Sequence, residues 1–203
     1  MRRSHLLLLC TITLFSATAL AVIPDAAKRY RPLLTRTAHA QWGLSAPVAT
    51  FAAQVHQESH WRSDARSPVG AMGLGQVMPS TATWLASMTP ALANQQPYNP
   101  GWSLRALVSY DHWLYQRVSG ANECERMAKT LSAYNGGLGW VYRDQKLAAQ
   151  TGLDAGRWFD SVEHVNAGRS AAAFRENRGY PRVILLTNEP LYLRAGWGPG
   201  SCL

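Results

Sequence analysis

An apolar helical stripe that runs into a carboxylate, followed closely by a glycine-rich turn, constrains this chain more than any other feature. Val48, Phe51 and Val55 recur at helical spacing, with Ser45 available to cap the helix and Pro47 suited to its first turn. Glu58 comes seven residues after Phe51 and three after Val55, so it falls near the same face. It also falls at the C-terminal end, where the helix macrodipole is negative. Desolvation and repulsion by that end both raise a carboxyl pKa, which keeps the group protonated near neutral pH and fit to act as a general acid. Position alone equally describes a partly buried structural glutamate, and favours that reading. The turn runs Ser67-Pro68-Val69-Gly70-Ala71-Met72-Gly73-Leu74-Gly75-Gln76-Val77-Met78-Pro79. Its glycines let backbone approach a ligand closely, and Gln76 offers a side-chain amide beside them.

The rest of the chain reads as helices. Ser80 is placed to cap one through Thr83-Trp84-Leu85, and Asn99-Pro100 opens a longer one carrying Leu104, Leu107, Val108, Leu114 and Val118. A third starts near Glu123, carries Met127, Leu131 and Tyr134 on one side, and stops at Gly136-Gly137. Strand-like alternation is weak, and Val183-Ile184-Leu185-Leu186 fits a helix as well as a strand. The expected fold class is mainly α.

Four blocks of this sequence, in order and at similar spacing over about residues 45–186, resemble the catalytic domain of the soluble lytic transglycosylases, a goose-lysozyme-like group that cleaves peptidoglycan. They are Glu58-Ser59, the Ser67–Pro79 turn, Ala133-Tyr134-Asn135-Gly136-Gly137, and Glu176-Asn177-Arg178-Gly179-Tyr180-Pro181-Arg182-Val183. The resemblance implies a single lysozyme-like domain with Glu58 as the catalytic acid. It also implies substrate contacts from Ser67, Gln76, Met78, Tyr134, Asn135 and Glu176, with the Tyr134 hydroxyl aimed at the catalytic centre and Asn135 fixing the local turn. Without it, Tyr134 and Met78 read as core, Gln76 as surface, Ser67 as a turn residue and Glu176 as a surface partner of Arg178. The chain departs from the family pattern at Gly75, where Met is usual and a side chain lining the cleft is therefore missing. It departs also at Gly136 for Ala, Asn177 for Thr and Pro181 for Val.

The implied reaction cleaves the β-1,4 bond between N-acetylmuramic acid and N-acetylglucosamine with one acid, giving 1,6-anhydro ends. A hydrolytic goose-type lysozyme and a wall-binding module without turnover are the alternatives. Most glycosidases need two carboxylates. Asp64 is the nearest second candidate, and its setting between Arg62 and Arg66 reads as a surface turn. His56 and His60 have the four-residue spacing of zinc ligands, but Glu58 is two residues past the first histidine, roughly 200° around the helix, instead of directly after it. Neither metal nor cofactor is expected.

Met1-Arg2-Arg3, the apolar run from Leu6 to about Val22 and Ala19-Leu20-Ala21 resemble a cleavable secretory signal over residues 1–21, leaving one domain over 22–203. An uncleaved anchor fits less well, since Thr11, Thr13, Ser16 and Thr18 interrupt a run of barely spanning length. Export to the periplasm makes a Cys124–Cys202 disulfide chemically available, and such a bridge would tie the C-terminal tail to the body. Gly196-Trp197-Gly198-Pro199-Gly200 otherwise reads as a loose end. The formal charge of +8 becomes +6 without Arg2 and Arg3, which suits an anionic partner. Lysines and arginines are scattered, so nucleic acid is not expected, whereas the cell wall is. The chain is expected to act as a monomer, and its compact format suits an opener of the wall for a secretion or conjugation machine.

Overall fold

The computed structural model describes residues 23–202, so the secretory-signal reading lies outside the described residues. Eight α-helices follow in order: α1 (Asp25–Trp42), α2 (Val48–Ser59), α3 (Pro79–Met88), α4 (Pro100–Tyr115), α5 (Glu123–Gly136), α6 (Leu138–Gln150), α7 (Ala171–Arg182) and α8 (Glu189–Arg194). Short 3-10 turns lie at Pro90–Leu92 and Val162–His164, and a π-helical segment, Val183–Asn188, joins α7 to α8. Among the described residues strand pairing is limited to isolated bridges, Arg66 with Met72 and Met72 with Val77, inside the glycine-rich turn.

The fold is organised around α2. Every residue from Val48 to Val55 is buried, Thr50 and Gln54 included, so this helix is enclosed on all sides rather than amphipathic. It packs against α1, α8 and the π-helical segment. Ser45 is exposed and does not cap it. Pro47 takes the cap position, and the Ala49 N–H donates to the Pro199 carbonyl at 2.9 Å, so the far end of the chain supplies the missing acceptor. Likewise α3 starts at Pro79 without a side-chain cap, one residue before Ser80. Asn99 and Asn122 do cap α4 and α5, accepting from Trp102 and Glu125 N–H groups at 3.1 and 3.0 Å.

The tail is anchored rather than loose. Trp197 is buried, and the buried Glu189 carboxylate accepts from the Ser201 and Cys202 N–H groups and from the Thr50 hydroxyl. A Cys124–Cys202 disulfide, with Cα atoms 4.6 Å apart, ties the tail to the start of α5. On the same helix the buried Lys129 ammonium gives its three donors to the carbonyls of Ser119, Ala155 and Gly156 at 2.6–2.9 Å. This fixes the loop that leads toward α7.

Candidate active site

α2 ends abruptly just beyond Glu58. His60 and Trp61 both adopt left-handed backbone, φ 51° and 64°, a conformation costly for residues with a Cβ. Burial of the Trp61 indole offsets that cost: its N–H donates to the Tyr192 hydroxyl at 2.7 Å inside the core. His56 Nδ1 lies 3.0 Å from the same hydroxyl, and the His60 ring packs edge-on against His56. Past this corner the glycine-rich turn closes on itself. Gly73 has φ 70°, and a Cβ there would lie 1.9 Å from the Pro97 carbonyl oxygen, a position only glycine can fill.

Glu58 keeps part of its surface open while its carboxyl is ringed by protein. Burial pushes its pKa up to about 8, the Glu176 charge adds to the rise, and a hydrogen bond from the Tyr180 hydroxyl to Oε1 pulls the other way. Tyr180 comes from α7, where Pro181 has no N–H to give to the Asn177 carbonyl and the helix widens into the π-helical segment. Tyr180 was not among the residues singled out in the sequence, although it stands inside the fourth block.

The other candidates surround this centre and are held in place by contacts of their own. Tyr134 donates its hydroxyl to the Gly75 carbonyl at 2.6 Å and packs on Tyr110, so it braces the turn, and after burial the nearby Glu58 charge is the next cause that raises its pKa. The Gln76 side-chain amide donates to the Ala65 and Gly73 carbonyls at 3.2 and 2.9 Å, leaving only its oxygen for a ligand. Ser67 Oγ accepts from the Ala71 N–H at 2.9 Å, while its proton remains free for an acceptor. Met78, 39% exposed, stands at the start of α3. Asn135 donates to Glu176 at 3.4 Å and accepts from Asn177 at 3.0 Å, which links the third and fourth blocks directly. Glu176 does not pair with Arg178, whose guanidinium turns inward to Asp144.

The departures from the family pattern have structural consequences. A Cβ on Gly75 would meet Leu107 at 3.1 Å and the Tyr134 hydroxyl at 3.2 Å, so its side-chain direction is filled by protein and no gap opens in the cleft. A Cβ on Gly136 would come within 2.7 Å of Asn177 Nδ2, so these two departures touch each other. Asn177 occupies space that an alanine at 136 would claim.

A second carboxyl does lie close to Glu58, and it is not Asp64, which is exposed. Asp111 of α4 is completely buried, accepts from the Gln54 amide at 3.4 Å, and has no partner at Oδ2. Burial drives its pKa well above the ordinary aspartate value; the Gln54 hydrogen bond opposes this and the charge of Glu58 reinforces it. Asp111 is therefore an acid enclosed in the core, with no exposed oxygen to offer a substrate.

A helical lysozyme-like domain with one accessible, proton-holding carboxyl is the class that fold and site define. The chain belongs to the transglycosylase SLT domain family, whose model matches residues 35–154. It is 33% identical over 120 residues to the membrane-bound lytic murein transglycosylase F of Pasteurella multocida, covering 59% of this chain and 22% of that protein. It is 33% identical over 146 residues to the soluble lytic murein transglycosylase of Escherichia coli K12, covering 70% of this chain and 20% of that one. The chain thus spans less than a third of the length of these relatives. Among solved structures, the 70-kDa soluble lytic transglycosylase of Escherichia coli matches 85% of this chain with a TM-score of 0.58 and 26% identity, over 25% of its own length. The same-sized enzyme in complex with bulgecin A matches 86% with a TM-score of 0.61.

Proposed function

We propose that this domain is a peptidoglycan lytic transglycosylase that cleaves the bond between N-acetylmuramic acid and N-acetylglucosamine and leaves 1,6-anhydro ends. The observation that carries the reading is Glu58: one accessible carboxyl, raised to about 8 by burial and hydrogen-bonded by Tyr180. At neutral pH it holds a proton to give to the leaving glycosidic oxygen. The carboxylate then formed accepts the proton of the muramoyl C6 hydroxyl as that oxygen bonds to the anomeric carbon. The proton lost in the first step is recovered in the second, and no water is consumed. Tyr180, donating to Oε1, favours the ionised form and so eases the first transfer.

A hydrolytic lysozyme would need a second carboxylate to direct water. Asp111 is enclosed in the core, and Glu176, an exposed acid whose charge acts on Glu58, is held by Asn135 on the rim. The names of the relatives support a murein substrate, and the leader-like residues 1–21 support action in the periplasm on the wall. Glu58→Gln tests the assignment. It should cut release of soluble muropeptides from purified sacculi by 10² or more while sacculus binding persists. A variant retaining more than about a tenth of wild-type turnover would remove Glu58 from the chemistry.

A further inference from the structure

Beside the Glu58 centre lies a second recess, a cavity of about 270 Å³ that shares Asn135 and Glu176 with it and is otherwise walled by Trp140, Arg169, Ser170 and Asn177. Arg169 is only 8% exposed. One of its terminal nitrogens pairs with Asp144, while the other, Nη2, is buried without any hydrogen-bond partner. A guanidinium nitrogen left unpaired in the interior is costly, so it calls for an acceptor. Both Asp144 oxygens are already engaged, Oδ2 with Arg169 and with Arg178 at 2.8 Å and Oδ1 with the Ala167 N–H at 3.0 Å. Two buried arginines thus share the one Asp144 carboxylate, and Glu163, the other acid acting on Arg178, is paired with Arg182. Trp140 lies between Arg143 and Arg169, whose guanidinium carbons are 4.4 and 5.0 Å from its ring centre. The positive end of α7, where Ser170 caps the Ala173 N–H at 3.2 Å, opens on the same recess.

Access depends on the departure at Gly136. The direction of its absent side chain leads to Asn177 Nδ2 at 2.7 Å and to Arg169 Nη2 at 3.6 Å, so a larger residue would stand between the cleft and the unpaired nitrogen. Glu176 on the rim opposes an anion, but it is exposed and its charge is screened, whereas that of Arg169 is not.

We propose that this recess is a binding subsite in which Arg169 Nη2 seats a carboxylate carried on the lactyl side of the muramoyl residue. Two sources share that chemistry: the peptide attached to the lactyl group, and the lactyl carboxylate itself where the peptide has been removed. The inference rests on the proposed murein substrate. It assigns to this chain a way of distinguishing muramoyl sugars that bear an anion from those that do not, with Arg169 and Trp140, which lie outside the Glu58 centre, as the residues that read the anion.

Equilibrium binding in a Glu58→Gln background tests this without requiring turnover, so failure of the catalytic reading is detected separately. Three glycan tetrasaccharides serve as probes: one with peptide stems, one stripped by amidase to free lactyl carboxylates, and the stripped one methyl-esterified. An anion-bearing probe should bind about ten-fold more tightly than the ester, the scale of one charge-assisted hydrogen bond. Arg169→Lys, which keeps the charge facing Asp144 but loses the fork, should erase that difference. The stem-bearing and stripped arms identify the source of the carboxylate. Equal affinity for all three probes in the Arg169 protein would overturn the proposal, and because that comparison changes only the ligand, it holds even if Arg169→Lys folds poorly.

Discussion

The Tyr134 hydroxyl donates to the Gly75 carbonyl, 2.6 Å away and 59 positions earlier in the chain. The end of α5 is thereby fastened to the turn that presents Gln76 and Met78. Tyr134→Phe would leave a buried carbonyl without its donor, a cost of about 1–3 kcal/mol. We expect a melting temperature lower by roughly 2–10 °C, with activity falling in parallel as the turn loosens. An unchanged melting temperature together with a slower reaction would mean that the hydroxyl serves the substrate directly.

The alkaline limit of activity should lie near pH 8, because Glu58 must be protonated to begin the reaction and its pKa is pushed up to about 8. Tyr180→Phe removes a bond that favours the carboxylate and should shift this limit to higher pH. It should also slow the rate about ten-fold or more through loss of a hydrogen bond to a charged group. Glu176→Gln removes a nearby negative charge and should shift the limit to lower pH. The pH dependence of kcat/KM for the three proteins checks both signs. If Glu176→Gln abolished turnover at every pH, Glu176 would be a base and the reaction hydrolytic.

Asp111 should make the protein less stable as pH rises. Its folded pKa stands well above its unfolded one, so between the two the native state binds more protons, and stability falls as pH increases through the ordinary aspartate range. Asp111→Asn keeps the shape, offers a donor to the orphaned Gln54 oxygen, and removes the titration. Its melting temperature should exceed that of wild type by about 2–4 °C for each kcal/mol relieved, the gap widening from pH 4 to pH 8. A gap that is constant with pH would mean that Asp111 is ionised in the folded protein.

The Cys124–Cys202 bond spans 78 positions and closes α5 against the tail that caps α2. Unreduced mature protein should be two hydrogens lighter than reduced protein. Reduction should cost up to about 4.5 kcal/mol on the chain-entropy estimate and should loosen the N-terminus of α2 first. Two freely alkylated thiols in protein taken from the periplasm would contradict the bridge.

The helices α2 to α5 were legible because their signals are local, whereas α1, α6, α7 and α8 were not read. The α2 stripe, the Asn99 cap and the stop at Gly136-Gly137 act within a few residues of themselves. Glu58 was legible as a perturbed acid from its face and helix end alone, although burial turns out to be the largest cause. What the sequence hid depends on distant pairs. Tyr180 reaches Glu58 across 122 positions, and Asp111 meets Gln54 across 57. Asp111 falls on the core stripe of α4, four residues after Leu107 and three before Leu114, but the stripe does not reveal that Gln54 of α2 faces it. The tail looked loose for the same reason: Glu189, its anchor, lies on another helix, and glycines and prolines say nothing about a distant acceptor.

Mass spectrometry of the muropeptides released from purified sacculi tests the central claim most directly, that Glu58 alone carries both proton transfers. The account predicts fragments ending in 1,6-anhydro-muramic acid, each lighter by one water than its hydrolytic counterpart and absent when Glu58→Gln replaces the wild type. Release of reducing ends one water heavier would contradict it.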